Sequence, residues 1–158
     1  MNSTHSSSPS TAIVTGASRG IGRTIALRLA ADGYRVVVNY AGNTARAREV
    51  VAEIERAGGQ AIAVQADVAQ DDQVQALFSA AQDAFGGVDA VVHSAGVMSL
   101  APIAPESLDI FDRMVQTNLR GAFVVLAHAA QQVRSGGRIV ALSTSVIAKS
   151  FPQYGPYI

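Results

Sequence analysis

Short, continuously apolar runs rich in β-branched residues alternate with longer segments of helical period, and this alternation constrains the fold more than any other feature of the chain. Thr11–Thr15 (TAIVT) reads as a buried strand, Ile21–Ala31 as a helix ended by Gly33, and Arg35–Tyr40 (RVVVNY) as a second strand. Thr44–Ala57 is an amphipathic helix stopped by Gly58 and Gly59, and Ala61–Gln65 is a third strand. Asp71–Phe85 is a helix closed by Gly86 and Gly87, followed by a fourth strand over Val88–His93. A long helix over Leu108–Val133 and a fifth strand over Arg138–Ser143, after Ser135, Gly136 and Gly137, complete the series. Strand, helix, strand in regular succession requires parallel pairing with right-handed crossovers. Strands that are apolar on both faces suit a sheet covered by helices on both sides. The expected fold is therefore α/β: a doubly wound parallel sheet, ordered 3-2-1-4-5. It forms one domain over residues 11–158, behind a Ser-rich leader over residues 1–10 that is expected to be flexible.

The composition narrows the function. Hydrophobic residues make up 49% of the chain, charged residues 15%, and the formal net charge is zero. That balance fits a globular protein with a large core and offers no basic run to attract nucleic acid or an anionic membrane. No segment is apolar for long enough to span a bilayer, so no membrane partner is expected and the cytoplasm is the expected address. There are no cysteines, and the three histidines are far apart in sequence, so a metal site is not expected.

Directly after the first strand comes Thr15-Gly16-Ala17-Ser18-Arg19-Gly20-Ile21-Gly22. A turn between a strand and a helix that lets backbone approach a ligand closely needs glycine at such points. The free N–H groups at the helix start then face an anion, helped by the helix dipole. A glycine triplet alone says little, but between a β-branched strand and an apolar helix it points to a bound pyrophosphate. A P-loop is excluded, because no Gly-Lys-Ser/Thr closes the turn.

Three residues, not one, separate Gly16 from Gly20, and in this the chain resembles the short-chain dehydrogenase/reductase family, whose motif is TGxxxGxG. The resemblance runs from about Thr11 onward. It implies that Asp67 and Val68 sit against the adenine of a nicotinamide dinucleotide, and that Ser94, Ala95 and Gly96 stand where the family has Asn-Ala-Gly. Ser94 departs from that pattern, as does His93, where the family often has another asparagine. The resemblance also assigns Asn118 as a structural and catalytic asparagine that holds a water in the proton path.

The end of the second strand is where an acid usually holds the ribose hydroxyls of NAD(H). Here Asn39, Tyr40 and Ala41 occupy it, and no carboxylate is present to repel a 2′-phosphate. Arg19 in the glycine loop is placed to welcome one. NADP(H) is expected in preference to NAD(H), bound by Thr15, Gly16, Ser18, Arg19, Gly20, Ile21, Gly22, Asn39, Tyr40, Asp67, Val68, Ser94, Ala95 and Gly96.

After the fifth strand come Ser143-Thr144-Ser145 and, further on, Tyr154-Gly155-Pro156-Tyr157-Ile158. By resemblance, Ser145 and Tyr157 are the catalytic serine and tyrosine, with Ser143 and Tyr154 as second choices. The chemistry suits them. A carbonyl that gains a hydride must also gain a proton, and a phenol can supply it. A hydroxyl can donate to the oxygen where charge develops. The family's YxxxK lysine would fall beyond Ile158. A free tyrosine titrates near ~10, so only about one part in a thousand is phenolate at pH 7.

The sequence is therefore expected to be a truncated chain with little activity of its own. Its full-length parent would be an NADP(H)-dependent oxidoreductase acting on a small-molecule carbonyl or alcohol, and a homodimer or homotetramer. A non-catalytic nucleotide-binding module, or pseudoenzyme, is the alternative. Pro102–Pro105 and Ser150–Gly155 are expected to line part of the cleft.

Overall fold

The computed structural model describes residues 9–149 and 151–158. Most of the Ser-rich leader (residues 1–8) and Ser150 lie outside the described residues. Five parallel strands form one sheet in the order β3-β2-β1-β4-β5: β1 Thr11–Thr15, β2 Arg35–Tyr40, β3 Ala61–Gln65, β4 Val88–His93 and β5 Val133–Ala141. The expected order is the order found.

The apolar strands are buried because helices cover both faces. One face carries Ile13, Val37 and Val91, packed with Leu77 and Phe78 of helix α3 (Asp71–Phe85) and Val125 of helix α5 (Gly121–Gln132). The other carries Val14, Val36, Val38 and Val92 against Ala26 of helix α1 (Gly20–Ala31) and Val50 and Ile54 of helix α2 (Thr44–Arg56). Neighbours such as Ile13 and Val14 thus serve opposite cores, as the two-residue period of a strand demands. The first three helices depart from their expected limits by no more than a residue.

Two elements differ more. The long helix is a 3-10 turn (Pro105–Ser107), helix α4 (Leu108–Met114), a widened π turn (Val115–Arg120) and α5, which ends at Gln132. Apolar periodicity cannot reveal the π turn, because the segment stays helical; Asn118, inside the turn, is tied to Val97. The fifth strand begins at Val133, earlier than Arg138, and ends at Ala141, earlier than Ser143. Val133 pairs with Val88 and Arg138 with Ala90, so the register shifts across the glycine-containing stretch between them. The ladder gains one more bond, from the Leu142 N–H to the His93 carbonyl at 3.0 Å. β5 lies at the edge of the sheet, and Ile139, Val140 and Leu142 are exposed.

Phe78 is 1% exposed at the centre of the α3/α5 core. Phe78→Ala is expected to destabilise the fold by about 3–5 kcal/mol, read from the urea midpoint at unchanged slope.

Candidate active site

The chain leaves β1 for β2 and β3 on one side and later crosses to β4 on the other, so a crevice opens where the connections diverge, at the carboxyl ends of β1 and β4. A cleft of about 1000 Å³ occupies this place. It is lined by Gly16, Ser18, Arg19, Gly20, Ile21 and Gly22 of the glycine loop, by Asn39 and Tyr40 at the end of β2, and by Asp67 and Val68 after β3. Ser94, Ala95 and Gly96 after β4, Asn118 of the π turn and Tyr157 complete the lining from residues singled out in the sequence. These positions are spread over more than 140 residues and meet only through the topology.

The glycine loop is shaped by close approaches. Gly16 has φ +64°, and a Cβ there would lie 2.8 Å from the Ala95 Cα. A Cβ on Gly22 would lie 2.5 Å from the Gly16 carbonyl oxygen. A Cβ on Gly20, by contrast, would meet nothing within 4 Å. Two glycines thus serve loop packing, and the third faces open space over the cleft. The start of α1 has no side-chain cap and no acidic residue in its first turn, whereas Asn43 caps α2 by accepting from the Arg46 N–H at 3.0 Å. The first-turn N–H groups of α1 are left to an anion, so the loop fits a dinucleotide pyrophosphate.

Thr15 and Asn39 join this loop to its surroundings. Thr15 does not line the cleft; its buried hydroxyl accepts from the Ser94 N–H at 3.0 Å and the Ala95 N–H at 3.1 Å, and lies 3.0 Å from His93 Nδ1. The Asn39 side chain is 1% exposed, and its Oδ1 accepts from the Gly16 N–H at 3.3 Å. Its Nδ2 donates to the carbonyls of Val64 (3.4 Å) and Ala66 (3.0 Å). Its own carbonyl accepts from the Ala17 N–H at 2.8 Å. Asn39 is therefore a brace between the glycine loop and β3, with its amide already engaged.

Further bonds set the rims. Asp67 accepts from the Ala69 N–H at 3.0 Å, and the Arg120 Nε donates to the Ala69 carbonyl at 2.9 Å, holding the turn that carries Asp67 and Val68. Asn118 accepts from the Val97 N–H and donates to the Val97 carbonyl, both at 2.8 Å, leaving one Oδ1 lone pair and one N–H of its amide. Tyr157 is half-buried, and its ring meets that of Tyr154 edge-on at 6.3 Å. Ser145 opens a 3-10 turn (Ser145–Ala148) and is exposed; Ser143 and Thr144, not Ser145, belong to the cleft lining. Pro102 and Ile103, with Phe151, Gln153 and Gly155, line a separate hollow. That hollow is bordered by a backbone bridge between Ala101 and Tyr154.

Burial holds the His93 imidazole below its ordinary pKa. Arg46, in the first turn of α2, also lines the cleft and was not singled out in the sequence. Its signal would have been a cation just past the second strand, beside the expected ribose position.

The chain matches the short chain dehydrogenase family model over residues 10–158. It belongs to the short-chain dehydrogenase/reductase family. A short-chain type dehydrogenase/reductase from Picea abies is 44% identical over 156 residues, covering 92% of this chain and 58% of that protein. The 3-oxoacyl-acyl-carrier-protein reductase of Staphylococcus aureus is 40% identical over 149 residues, with 93% and 61% covered. A short chain dehydrogenase from Burkholderia cenocepacia, solved in complex with NADP, superposes with a TM-score of 0.88 at 38% identity, covering 94% of this chain and 61% of that one. The chain thus spans about three fifths of the length of these relatives.

An acid at position 39 cannot donate to the Val64 and Ala66 carbonyls. Asn39→Asp is expected to cost about 2–4 kcal/mol of stability by urea unfolding and not to raise NAD+ affinity, because the side chain braces backbone.

Proposed function

We propose that the chain is the cofactor-binding part of an oxidoreductase that prefers NADP(H) and interconverts a small-molecule carbonyl and a secondary alcohol. One observation carries this reading: the uncapped glycine loop, the Asp67–Val68 turn, the Ser94–Gly96 segment, Asn118 and Tyr157 share one cleft. Ser18, Gly20, Ile21 and Gly22 hold the pyrophosphate through the α1 start, and Asp67 and Val68 border the adenine. Arg19 and Arg46 both line the cleft beside Tyr40 and Ala41, where a 2′-phosphate would lie, and no carboxylate stands among these residues. The NADP complex of the Burkholderia relative agrees with the preference.

When bound, the nicotinamide supplies or takes up the hydride. Tyr157 gives the substrate oxygen its proton in reduction and removes it in oxidation. The hydroxyl that donates to that oxygen comes from the Ser143–Ser145 segment: Ser145 by resemblance, Ser143 by its place in the lining. Asn118 braces the Val97 segment, and its remaining Oδ1 lone pair is available to a water in the proton path. Exposed Leu108 and Phe111 of α4, Leu119 of the π turn and Phe123 of α5 support a homodimeric or homotetrameric full-length protein. The cytoplasm is its proposed location.

Two measurements test the reading. Calorimetric titration is expected to show NADP+ binding more tightly than NAD+. Replacing Arg19 and Arg46 together by alanine should weaken NADP+ by about 10- to 100-fold and leave NAD+ within a few-fold. Consumption of NADPH with simple ketones and aldehydes, assayed in a form extended to the length of the relatives, should fall by more than about 100-fold in Tyr157→Phe. Binding without turnover in that form would favour a non-catalytic nucleotide-binding module.

A further inference from the structure

A hydroxyl has one hydrogen to give and two lone pairs to receive with. The two Thr15 lone pairs are taken by the backbone N–H groups of Ser94 and Ala95, at 3.0 and 3.1 Å. The hydroxyl hydrogen must therefore go to the remaining neighbour, His93 Nδ1 at 3.0 Å. A ring nitrogen that accepts carries no hydrogen, so the imidazole is neutral with its proton on Nε2. A protonated ring, or the opposite tautomer, would bring a third donor to an oxygen that can accept only two. The Thr15 hydrogen would then be left buried without an acceptor.

We propose that His93 is a positioning residue of the cofactor cleft: as a neutral acceptor it orients the Thr15 hydroxyl, which in turn holds the Ser94–Ala95 backbone against the glycine loop, and its protonation releases that hold. The consequence for the cleft is direct, because the Ala95 backbone is the surface on which Gly16 packs. His93 is 3% exposed and lines the cleft.

Among the described residues the ring has no ionic partner to stabilise a charge. On its flanks β1 presents Thr15 and β5 presents Ala141 and Leu142. The titratable groups that share the cleft are Arg19 of the glycine loop, Tyr40 of β2, Arg46 of α2, Asp67 after β3 and Tyr157, and none bonds to the ring among the described residues. The other described histidine, His128 of α5, is paired with Asp71 of α3 at 2.8 Å. Burial alone lowers the His93 pKa, so the folded protein holds this proton less readily than the unfolded chain. The stabilising neutral state is fully present above the ordinary histidine value of about 6.5 and is lost progressively as the pH falls below it.

The test has two arms, and only the second rests on the proposed cofactor. In the first, long-range proton–nitrogen correlation spectra of 15N-labelled protein, with the His93 signals assigned by their loss in His93→Asn, should show the Nε2–H tautomer at about pH 7.5 and a titration midpoint below about 6.5. An Nδ1–H tautomer, or a charged ring at that pH, overturns the proposal. In the second, NADP+ is titrated calorimetrically at about pH 7.5 and 5.5, with NAD+ in parallel. Asn can accept through Oδ1 but does not titrate, so the comparison removes the ligand's own ionisation. The native chain should lose about fivefold more affinity on acidification than His93→Asn. His93→Phe, which offers no acceptor, should bind weakly at both pH values. Equal pH dependence in the native and Asn proteins overturns the proposal. If neither dinucleotide binds, the cofactor reading is overturned, and the tautomer then decides the inference by itself.

Discussion

β1 carries both halves of the sheet. It pairs with β2 on one side and β4 on the other, and all five of its residues are completely buried. A strand in that position must be apolar on both faces, which TAIVT satisfies apart from its terminal threonines. The rest of the molecule depends on it, because the crevice exists only where the connections from β1 and β4 part company. Thr15, its last residue, is the point at which a packing element becomes part of a binding site.

The walls of the cleft are held mainly by neutral hydrogen bonds. Thr15 joins the β1 end to the Ser94–Ala95 segment, Asn39 joins the glycine loop to β3, and Asn118 joins the π turn to Val97. Each brace pairs backbone groups that would otherwise lie unsatisfied next to a core. Neutral braces leave the cleft's charge to Arg19, Arg46 and Asp67, all three exposed. Among the described residues, no internal ion pair involves the charged side chains that line the cleft.

Much of the architecture was legible because the relevant signals are local. Glycine spacing after β1, strand composition and helix stops are properties of short windows, and they led to the sheet order and the placement of the loop. The role of Asn39 was not legible. Its position at the end of β2 suggested contact with a ribose, yet its amide faces Gly16, Val64 and Ala66, up to 27 residues away. Arg46 was missed for a similar reason: on a helical wheel it is one more exposed cation, and only the turn after β2 brings it to the cleft. In the Ser143–Ser145 segment, Ser143 and Thr144 line the cleft while Ser145 opens the 3-10 turn after the strand that ends at Ala141, a division that spacing alone does not show.

By itself the sequence determined the layered fold, the order of its strands and the position of the glycine loop, because periodicity and backbone permissiveness act over a few residues. Only the tertiary structure decided which polar side chains brace the cleft and which remain free for a ligand. Partners such as Thr15 and His93 are 78 residues apart in the chain, and they meet because their strands are adjacent. Their hydrogen-bonding roles follow from that meeting, since an oxygen with two lone pairs and one hydrogen takes its orientation from all its neighbours at once.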